Sequence, residues 1–472
     1  IHQTGEIGYK KAPLFSIMFI REQTKSKKRG VNIMPKKVLN FKLEFSEKEE
    51  ITPYAGLGIY GEMYKSLGID KEIEKIFPKP GSGAGIEANN YIEPILLMML
   101  GGGKYIEDIR KINADKGLKN ICKIKRVPGS DALGDWLRRE SKIKIEKISE
   151  INNNITARII KRAKEDEFTL DIDATEIEAE KFDAKYTYNG NKGYMPLLGF
   201  IPELDLCCGY EFREGNVPPQ DKNYEFTKKI VEKVKCAGKI IKNFRSDAAG
   251  YQAKLINYLS GERIKWTITA DQDVSVKEMI KQLPESDWKQ YKDRDGIKRD
   301  KEYSETVHCM NKTADAFRMI VQRWLNPQQD LFKKTEKYCY HVIATSYFEE
   351  EKTAEEVIWW HNGRSNSENY NKELKNGFNL DYLPCGDFGA NAVWFGLGIL
   401  AYNFFIASKI YLFPSGWLKK TISTVRWQFI QMAGKIIRRS RYLVMRICGT
   451  LRETYEIYQK ARELCWELQY TL

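Results

Sequence analysis

The residues best suited to chemistry in this chain are acids in or at the ends of predicted strands. Asp171 and Asp173 lie two residues apart in the strand pattern LDIDAT, so both side chains project from the same face. Asp247 ends a second predicted strand, IIKNFRSD. Carboxylates that face inward from a sheet are costly unless a cation or a base neutralises them, and LDIDAT contains no basic residue. This pattern favours a metal site.

A third carboxylate would complete such a site, and a predicted helix over residues 357–376 offers Glu368 and Glu373 among several basic residues. Each acid also has an ordinary structural interpretation. An Asp at a strand end commonly caps a turn, and a Glu on a basic helix commonly forms an ion pair one turn away. Taken one at a time, these residues leave a metal site and a structural role both open.

The elements that must position these acids are predicted to form an α/β domain over residues 161–275. From Phe168 the pattern is three extended stretches and then helix, strand, helix and strand, which predicts a central mixed sheet. Reactive groups in an open α/β sheet gather at the carboxyl ends of strands. Residues 276–350 are predicted to be an inserted β-rich domain, and residues 351–412 to complete the core.

The amino-terminal part, residues 34–160, is predicted to be a helical domain that binds DNA. Its stretch VPGSDALGDWLRR predicts a short helix that ends in Arg138 and Arg139, compatible with a helix-turn-helix unit. A structural helix with a charged solvent face is the alternative. Residues 1–33 precede MPKKVLNFKLEF, which reads like a natural start, and are predicted to be a basic, disordered leader.

The charge balance favours a polyanionic partner. The formal net charge is +13, from 77 Lys+Arg against 64 Asp+Glu, which suits nucleic acid first and an acidic membrane surface second. Between Phe388 and Arg452 there are ten Lys or Arg residues and no Asp or Glu. Residues 413–472 are therefore predicted to be a basic helical region that contacts DNA phosphates, with a simple basic tail as the alternative. Its densest cluster is Lys435, Arg438, Arg439 and Arg441.

Other composition signals exclude several classes of protein. The nine cysteines and four histidines lack zinc-ligand spacing and any C-x-x-C pair, which predicts reduced cysteines in a cytosolic protein rather than a disulfide framework. The apolar stretch from Val393 to Ser408 is shorter than the roughly twenty residues that span a bilayer. It predicts a buried core helix, and no membrane partner is expected.

Taken together, the acidic blocks resemble those of DDE transposases with a ribonuclease H-like fold. The blocks are LDIDAT, RSDAAGY and HNGRSNSENYNKELK. The last fits that group's signature of an aromatic residue, Arg, Glu and Lys, and its four positions are His361, Arg364, Glu368 and Lys375. His replaces the usual Tyr at the first position, which puts the role of that phenol in question here.

The resemblance extends from Met34 to the end of the chain and is closest to the insertion sequence 1380 family. The stretches that carry it include AGLGIYGEMYKSLGI, MLGGGKYIEDIRKI, VPGSDALGDWLRR, GNKGYMPLLGF and ANAVWFGLGILAYNFF. It implies a ribonuclease H-like core with mixed sheet, interrupted by a β-strand insertion domain between the second and third acids.

The resemblance also implies the site residues and the reaction. Asp173, Asp247 and Glu368 would be catalytic and would bind two Mg²⁺ ions, for which Mn²⁺ would substitute; two such ions sit about 3.5–4 Å apart and clamp a scissile phosphate. Asp173 is preferred over Asp171 because the family block reads Asp-x-Thr. The enzyme would cut at the terminal inverted repeats of its element and join the freed 3′-OH to target DNA.

Partners and supporting residues follow from the same resemblance. Double-stranded DNA would be held by a homodimer in the bacterial cytoplasm, at the nucleoid. Arg364, Lys375 and His361 would contact the transposon end, and Trp288 or Trp324 in the insertion could stack on a displaced base, with ordinary packing as the alternative. Two other functions stay open: a catalytically idle DNA-binding protein and a stand-alone metal-dependent nuclease.

Overall fold

A computed structural model describes residues 49–81, 85–327, 337–448 and 452–471. The predicted leader, residues 1–33, lies outside the described residues.

Among the described residues from 49 to 162, the amino-terminal part contains seven α-helices and one short strand. Long apolar faces explain the helices; the last one buries Ile148, Ile151, Ile155 and Ile159 at three- and four-residue spacing, so one stripe faces the interior. The elements are β1 (Ile51–Thr52), α1 (Leu57–Ser66), α2 (Ile69–Ile76), α3 (Asn89–Gly101), α4 (Ile109–Ala114), α5 (Lys116–Cys122), α6 (Ser130–Arg138) and α7 (Ser141–Arg162).

The middle of the chain supplies a mixed sheet and a smaller sheet inserted into it. Its elements are β2 (Glu167–Ala174), β3 (Ile177–Glu178), β4 (Lys185–Tyr186), β5 (Lys192–Tyr194), β6 (Leu197–Ile201), β7 (Leu206–Glu211), α8 (Asn223–Cys236), β8 (Ile240–Ser246), α9 (Ala253–Gly261) and β9 (Lys265–Thr269). β2 pairs antiparallel with β6 and β6 with β7, whereas β2, β8 and β9 run parallel. β3, β5 and β4 form the small sheet between β2 and β6.

Residues 276–350 are rich in strands, as predicted, but their strands continue the core sheet. The elements are α10 (Val274–Gln282), β10 (Lys289–Lys292), β11 (Lys298–His308), β12 (Phe317–Leu325) and β13 (Tyr338–Thr345). β13 pairs antiparallel with β9, so one sheet runs in the order β10-β11-β12-β13-β9-β8-β2-β6-β7. The predicted β-rich insertion thus shares one continuous sheet with the core, and β13 covers the edge that β9 would otherwise expose.

The rest of the chain returns to the core and then to the amino-terminal helices. Its elements are α11 (Ala354–Asn362), α12 (Asn366–Lys372), α13 (Phe388–Tyr411), α14 (Ile422–Val425), β14 (Ala433–Arg438), β15 (Leu443–Cys448) and α15 (Arg452–Thr471). Short 3₁₀ turns occur at Ile106–Asp108, Pro202–Leu204, Ala248–Gly250, Glu285–Asp287, Gly363–Ser365 and Ser415–Trp417, and π turns at Glu373–Gly377 and Arg426–Ile430.

The apolar helix α13 lies inside the protein. It is long and apolar enough to cross a membrane, yet its most apolar window is completely buried by the rest of the chain. It packs along α7, and the Asn152 side chain donates a hydrogen bond to the Gly396 carbonyl between them. The prediction of a buried core helix over residues 393–408 is confirmed.

The carboxyl-terminal region is not wholly helical, which corrects the prediction for residues 413–472. β14 and β15 form an antiparallel hairpin, and β14 also pairs with β1 near the start of the described chain. Alternation explains the strand: Gly434 and Ile436 are buried while their neighbours are at least partly exposed, which is the two-residue period of a sheet. The alternation is hard to read from the sequence because Arg438 shares the face of Gly434 and Ile436 and is nevertheless exposed.

Candidate active site

Two of the predicted acids lie side by side because of the register between β2 and β8. In this parallel pair Asp171 is opposite Arg245 and Ile172 is opposite Ser246. The next residue in each strand direction is an aspartate, Asp173 on β2 and Asp247 after β8. Both carboxylates therefore meet at the carboxyl ends of adjacent strands, where an α/β sheet collects its reactive groups.

Asp171 is fully buried and neutralised. Arg245 donates from Nε and Nη2 to its two carboxylate oxygens, each at 2.7 Å, and a third bond runs from Arg245 Nη1 to the Trp360 carbonyl at 2.9 Å. The guanidinium lies so close to Gly363 that a Cβ there would be 2.5 Å from Nη1. The expectation that no base neutralises these acids is wrong for Asp171, because the partner comes from the neighbouring strand. Asp171 is a structural residue.

Asp173 has weaker partners. Its carboxylate accepts a hydrogen bond from Asn371 Nδ2 at 2.7 Å, and Arg364 Nη1 lies 3.7 Å away. Burial and, to a smaller extent, the nearby Asp247 raise the pKa of Asp173 to about 6, against the lowering effect of Arg364, Asn371 and Lys375. The structure therefore brings two acids together with incomplete compensation of charge.

Asp247 also performs the capping role that its position suggested. It caps the turn Ala248–Gly250, accepting from the Ala249 backbone N–H at 3.0 Å, and the Ser246 hydroxyl lies 3.4 Å away. Its side chain is half-buried. Capping fixes the carboxylate at the strand end without removing it from the site.

Glu368 lies on α12 and is exposed. The predicted continuous helix over residues 357–376 is broken by the turn Gly363–Ser365 before α12 and by a π turn after it. In the part of the chain that the structure describes, no three His, Cys, Asp or Glu side chains gather closely enough to hold a metal ion. The structure therefore pairs Asp173 with Asp247 but does not bring Glu368 to them.

Glu373, the other candidate on this segment, has a different role. Its Oε1 accepts a hydrogen bond from the Ile422 backbone N–H at 2.6 Å, at the start of α14. Asn371 is three residues after Glu368, on the same helical face, and donates to Asp173. Because Asn371 reaches Asp173 from the helical face that it shares with Glu368, whereas Glu373 is engaged at α14, Glu368 stays the better candidate for the third acid.

The basic residues of the signature lie around Asp173. Arg364 is its ion-pair partner, and Lys375 Nζ donates to the Glu176 carbonyl at 2.7 Å, just beyond β2. Burial lowers the pKa of Lys375, and nearby acids including Asp173 counter that effect. Both cations are therefore close enough to meet a phosphate held at this strand end.

His361 does not face DNA, and the prediction that it contacts DNA is wrong. Only 3% of its surface is exposed, and its ring nitrogens each lie 3.0 Å from a threonine hydroxyl of β9, Thr267 for Nδ1 and Thr269 for Nε2. Burial holds its pKa well below the usual value, and the nearby His341 lowers it further. The side chain anchors α11 to the core sheet.

The more distant basic residues divide into paired and exposed ones. Lys435 pairs with Glu49 at 2.6 Å and Arg438 with Glu50 at 3.0 Å, both near β1. The remaining predicted DNA contacts are exposed; Arg138 also pairs with Asp135 in its own helix. The exposed set comprises Arg138, Arg139, Arg438, Arg439 and Arg441.

The two tryptophans singled out in residues 276–350 contact cations of the same sheet. Trp288 is half-buried, with the Arg323 guanidinium 4.0 Å from its ring centre, and Trp324 has Lys301 Nζ at 4.7 Å. Trp288 also packs against the core. Both rings therefore already contact neighbouring side chains. Ordinary packing was the alternative to base stacking for these two residues.

Two residues at the site escaped the sequence argument. Arg245 precedes Asp247 by two residues, and Asp171 precedes Asp173 by two. This equal spacing was the signal that Arg245 lies opposite Asp171 when the other two aspartates lie side by side. Asn371 could have been found from its three-residue offset from Glu368. Its Oδ1 is buried and has no hydrogen-bond partner among the described residues.

The oxygen donors fit a divalent cation. Two carboxylates lie together in a largely buried place, and the unpartnered Oδ1 of Asn371 adds an oxygen next to Asp173. Mg²⁺ takes one or two carboxylates and completes its shell with water and phosphate oxygens, so it does not require a closed protein cage.

Comparison with known proteins identifies the family. A solved structure with some likeness is the cryo-EM structure of the piggyBac transposase synaptic complex with hairpin DNA, at 9% identity, over 90% of this chain and 84% of that chain, with a TM-score of 0.44. A TM-score this low supports no argument. No curated protein matches the chain significantly. The family model for the transposase DDE domain group 1 matches residues 37–465. Because that match spans most of the sequence, the chain belongs to this family of DDE transposases, the enzymes of DNA transposition and recombination.

Proposed function

We propose that this transposase binds the terminal inverted repeats of its own insertion sequence, cleaves the ends and joins them to target DNA. The observation that carries the proposal is the pair Asp173 and Asp247 at adjacent strand ends, in a chain of the DDE family. The long stretches that resemble the insertion sequence 1380 family support that narrower membership. The strand order β7-β6-β2-β8-β9, with an antiparallel meander followed by parallel strands, supports a ribonuclease H-like core.

The metal-binding residues in this proposal are Asp173, Asp247 and Glu368. Divalent ions bound there would activate water and neutralise charge on the scissile phosphate, and Mg²⁺ is the expected ion, with Mn²⁺ as substitute. Asn371 donates a hydrogen bond to Asp173 and so fixes the direction of its carboxylate. Glu368 lies three residues before Asn371, so α12 is the element that would deliver it to the site.

The cations of the signature would hold the DNA. Arg364 and Lys375 lie beside Asp173, where they would bind phosphates next to the cleaved bond. Arg138, Arg139, Arg439 and Arg441 are exposed and would bind the backbone farther away. Two transposon ends must be joined in one event, so the working assembly is a dimer on DNA, in the cytoplasm of a bacterium.

The experiment that tests the proposal uses DNA that flanks the gene. Duplexes carrying inverted repeats from those flanks are incubated with the full chain and Mg²⁺, Mn²⁺ or EDTA, and the products are resolved on denaturing gels. We expect metal-dependent cuts at the repeat ends and joined products with a second duplex. Glu368→Gln should abolish both, whereas Glu373→Gln, at the acid that caps α14, should cut normally if it folds.

A catalytically idle DNA-binding protein is the second candidate, and one observation favours it. Glu368 is exposed and stands apart from the two aspartates. Specific binding to the repeats with no cleavage in either metal would support this candidate and refute the transposase. Hydrolysis without joining would instead indicate a stand-alone nuclease.

A further inference from the structure

The β14-β15 hairpin has two faces, and one of them packs on the protein. Residues directly opposite each other in an antiparallel pair share a face, so Gly434 and Ile436 of β14 lie with Ile447 and Met445 of β15. Gly434 and Ile436 are buried, and the two residues of β15 pack against the core. The alternate residues of both strands therefore point away from the core.

These outward residues form a surface that we call the ribbon face. Within it Lys435 lies opposite Arg446, and Ile437 lies opposite Val444, so a small apolar centre stands next to a pair of cations. The face ends at the turn of the hairpin. From the first pair to the turn it comprises Lys435, Ile437, Arg439, Tyr442, Val444 and Arg446.

The charges of the ribbon face do not stabilise the hairpin. Two cations placed directly opposite each other repel, and this is the arrangement of Lys435 and Arg446. Lys435 pairs with Glu49 at 2.6 Å, whereas Arg446 has no ion pair or side-chain hydrogen bond among the described residues. Arg439 and Arg441 are exposed and likewise unpaired within that part of the chain. These three arginines are therefore available to a partner of negative charge.

A second largely exposed hairpin, β10-β11, has a different charge pattern. It mixes both signs, and Arg299 Nε donates to Asp293 at 2.7 Å. Residues 433–448 instead contain five Lys or Arg and no Asp or Glu. Of the acids beside β14, Glu49 is bonded to Lys435, and Glu50 pairs with Arg438 on the opposite face at 3.0 Å. One-sided charge on a hairpin favours a polyanionic partner.

The shape of the ribbon face fits the major groove of duplex DNA. That groove is about 12 Å wide and admits a two-stranded β-ribbon. The two strands of such a ribbon lie about 4.8 Å apart, and the four steps from Lys435 to Arg439 span about 14 Å. Because successive phosphates of a strand are about 3.4 Å apart along the helix axis, the face would cover about four base pairs.

We propose that the ribbon face lies in the major groove of the DNA that this protein recognises, with Arg446 reading a guanine. Duplex DNA as the partner is taken from the proposed function, on which this inference rests. Arg446 lies on the flat part of the face, and an arginine fork donates two hydrogen bonds to guanine O6 and N7. Arg439 and Arg441 lie at the turn, where they bind phosphates at the groove edge. Ile437 and Val444 contact thymine methyl groups.

The test selects binding sites from a random duplex library in EDTA, so it needs neither a known repeat nor cleavage. The full-length wild type should enrich a short motif that contains a guanine. Arg446→Lys keeps the charge and removes the fork, so its affinity for scrambled duplex should change less than twofold. Its preference for one guanine of the motif should fall about tenfold, as measured by competition between the selected duplex and one altered at that pair.

Two modified probes assign the groove. 7-Deazaguanine lacks the N7 acceptor of the major groove, and inosine lacks the amino group that guanine presents in the minor groove. At the guanine that Arg446→Lys no longer prefers, 7-deazaguanine should weaken wild-type binding about tenfold and should not weaken binding of the variant. Inosine at the same position should leave both affinities unchanged.

A matched control is available on the β10-β11 hairpin. Arg299→Lys alters an exposed arginine that is paired with Asp293 in its own hairpin. This variant should enrich the same motif as the wild type. Arg446→Lys and Arg299→Lys should both melt as the wild type does, because both side chains are exposed.

Three results would overturn the inference. Arg446→Lys could enrich the wild-type motif unchanged, or inosine rather than 7-deazaguanine could weaken binding, which would place the contact in the minor groove. Aggregation of Arg446→Ala with unchanged DNA affinity would show that the arginine instead protects β15, the edge strand of its sheet. Failure of repeat cleavage would refute the proposed function alone, since the selection is performed without metal.

Discussion

Asp171 and Asp173 share one face of β2 and have opposite environments. Asp171 is completely buried, and Arg245 satisfies both of its carboxylate oxygens. Asp173 keeps 16% of its side chain exposed, beside Asp247 and a guanidinium at 3.7 Å. Burial is greater where the charge is fully compensated, so burial alone does not identify the reactive acid. The incomplete compensation of Asp173 is what supports the proposal that Asp173 is that acid.

The difference arises from the pairing of two strands. The parallel register places Asp171 opposite Arg245, and two residues later it places Asp173 beside Asp247. An ion pair within the sheet and a pair of adjacent acids at its edge thus come from one repeated spacing. The first position stabilises the sheet, and the second stores repulsion that a bound cation would relieve.

The largest expected effect is on activity at Asp173. Asp173→Asn should reduce cleavage of repeat DNA by about 10³-fold or more, because an amide cannot replace a carboxylate that holds a divalent ion. The free energy of unfolding at pH 8 should not fall, since the substitution removes a buried charge that lies next to Asp247. Gel assays and urea titrations measure the two quantities. If Asp173→Asn loses activity and also unfolds more easily, the proposed difference in role between Asp171 and Asp173 is refuted.

The next effect is on stability at Asp171. Asp171→Asn leaves the Arg245 guanidinium buried with its main partner neutral, which should lower the free energy of unfolding by about 3–5 kcal/mol. The double variant Asp171→Leu with Arg245→Leu should recover part of this loss, because it removes both charges. Urea titration at pH 7.5 measures all three proteins. If Asp171→Asn is as stable as the wild type, the ion pair does not hold β2 to β8.

A smaller effect is expected at Asn371, whose side chain donates a hydrogen bond to Asp173. Asn371→Leu keeps the volume of the side chain and removes the hydrogen bond to Asp173, which should weaken Mn²⁺ binding by about 10- to 100-fold. Electron paramagnetic resonance of free Mn²⁺ reports binding without DNA. Asn369→Leu, at an exposed position of the same helix, is the control. Equal Mn²⁺ affinity in the two variants would show that Asn371 does not position Asp173.

The smallest effect concerns pH and the buried His361, which lies near Arg245 and Arg364. Its pKa is lowered in the folded protein, so its contribution to stability is present above the unfolded value of about 6.5 and is lost as pH falls. Between pH 7.5 and pH 5.5, the wild type should therefore lose about 1 kcal/mol more than His361→Gln. Urea titrations at the two pH values test this. Parallel losses would mean that His361 is protonated in the folded state.

Much of the fold could be predicted from local patterns. The strands around Asp173 and Asp247 and the buried helix α13 follow from periodicity and apolar content, which are properties of short stretches. The hairpin of β14 and β15 was missed because its basic residues masked the two-residue period. Sequence also did not predict that β13 pairs with β9, since this pairing joins residues 74 to 78 positions apart.

The sequence by itself determined the family and the positions of the acids, because both depend on the spacing of residues along the chain and on the short stretches around them. Tertiary structure decided which aspartate of β2 is neutralised, because Arg245 comes from another strand. It also buried His361 against Thr267 and Thr269, and turned Asn371 towards Asp173. These outcomes depend on distances between elements, and charge and hydrogen bonding act through distance in space rather than along the chain.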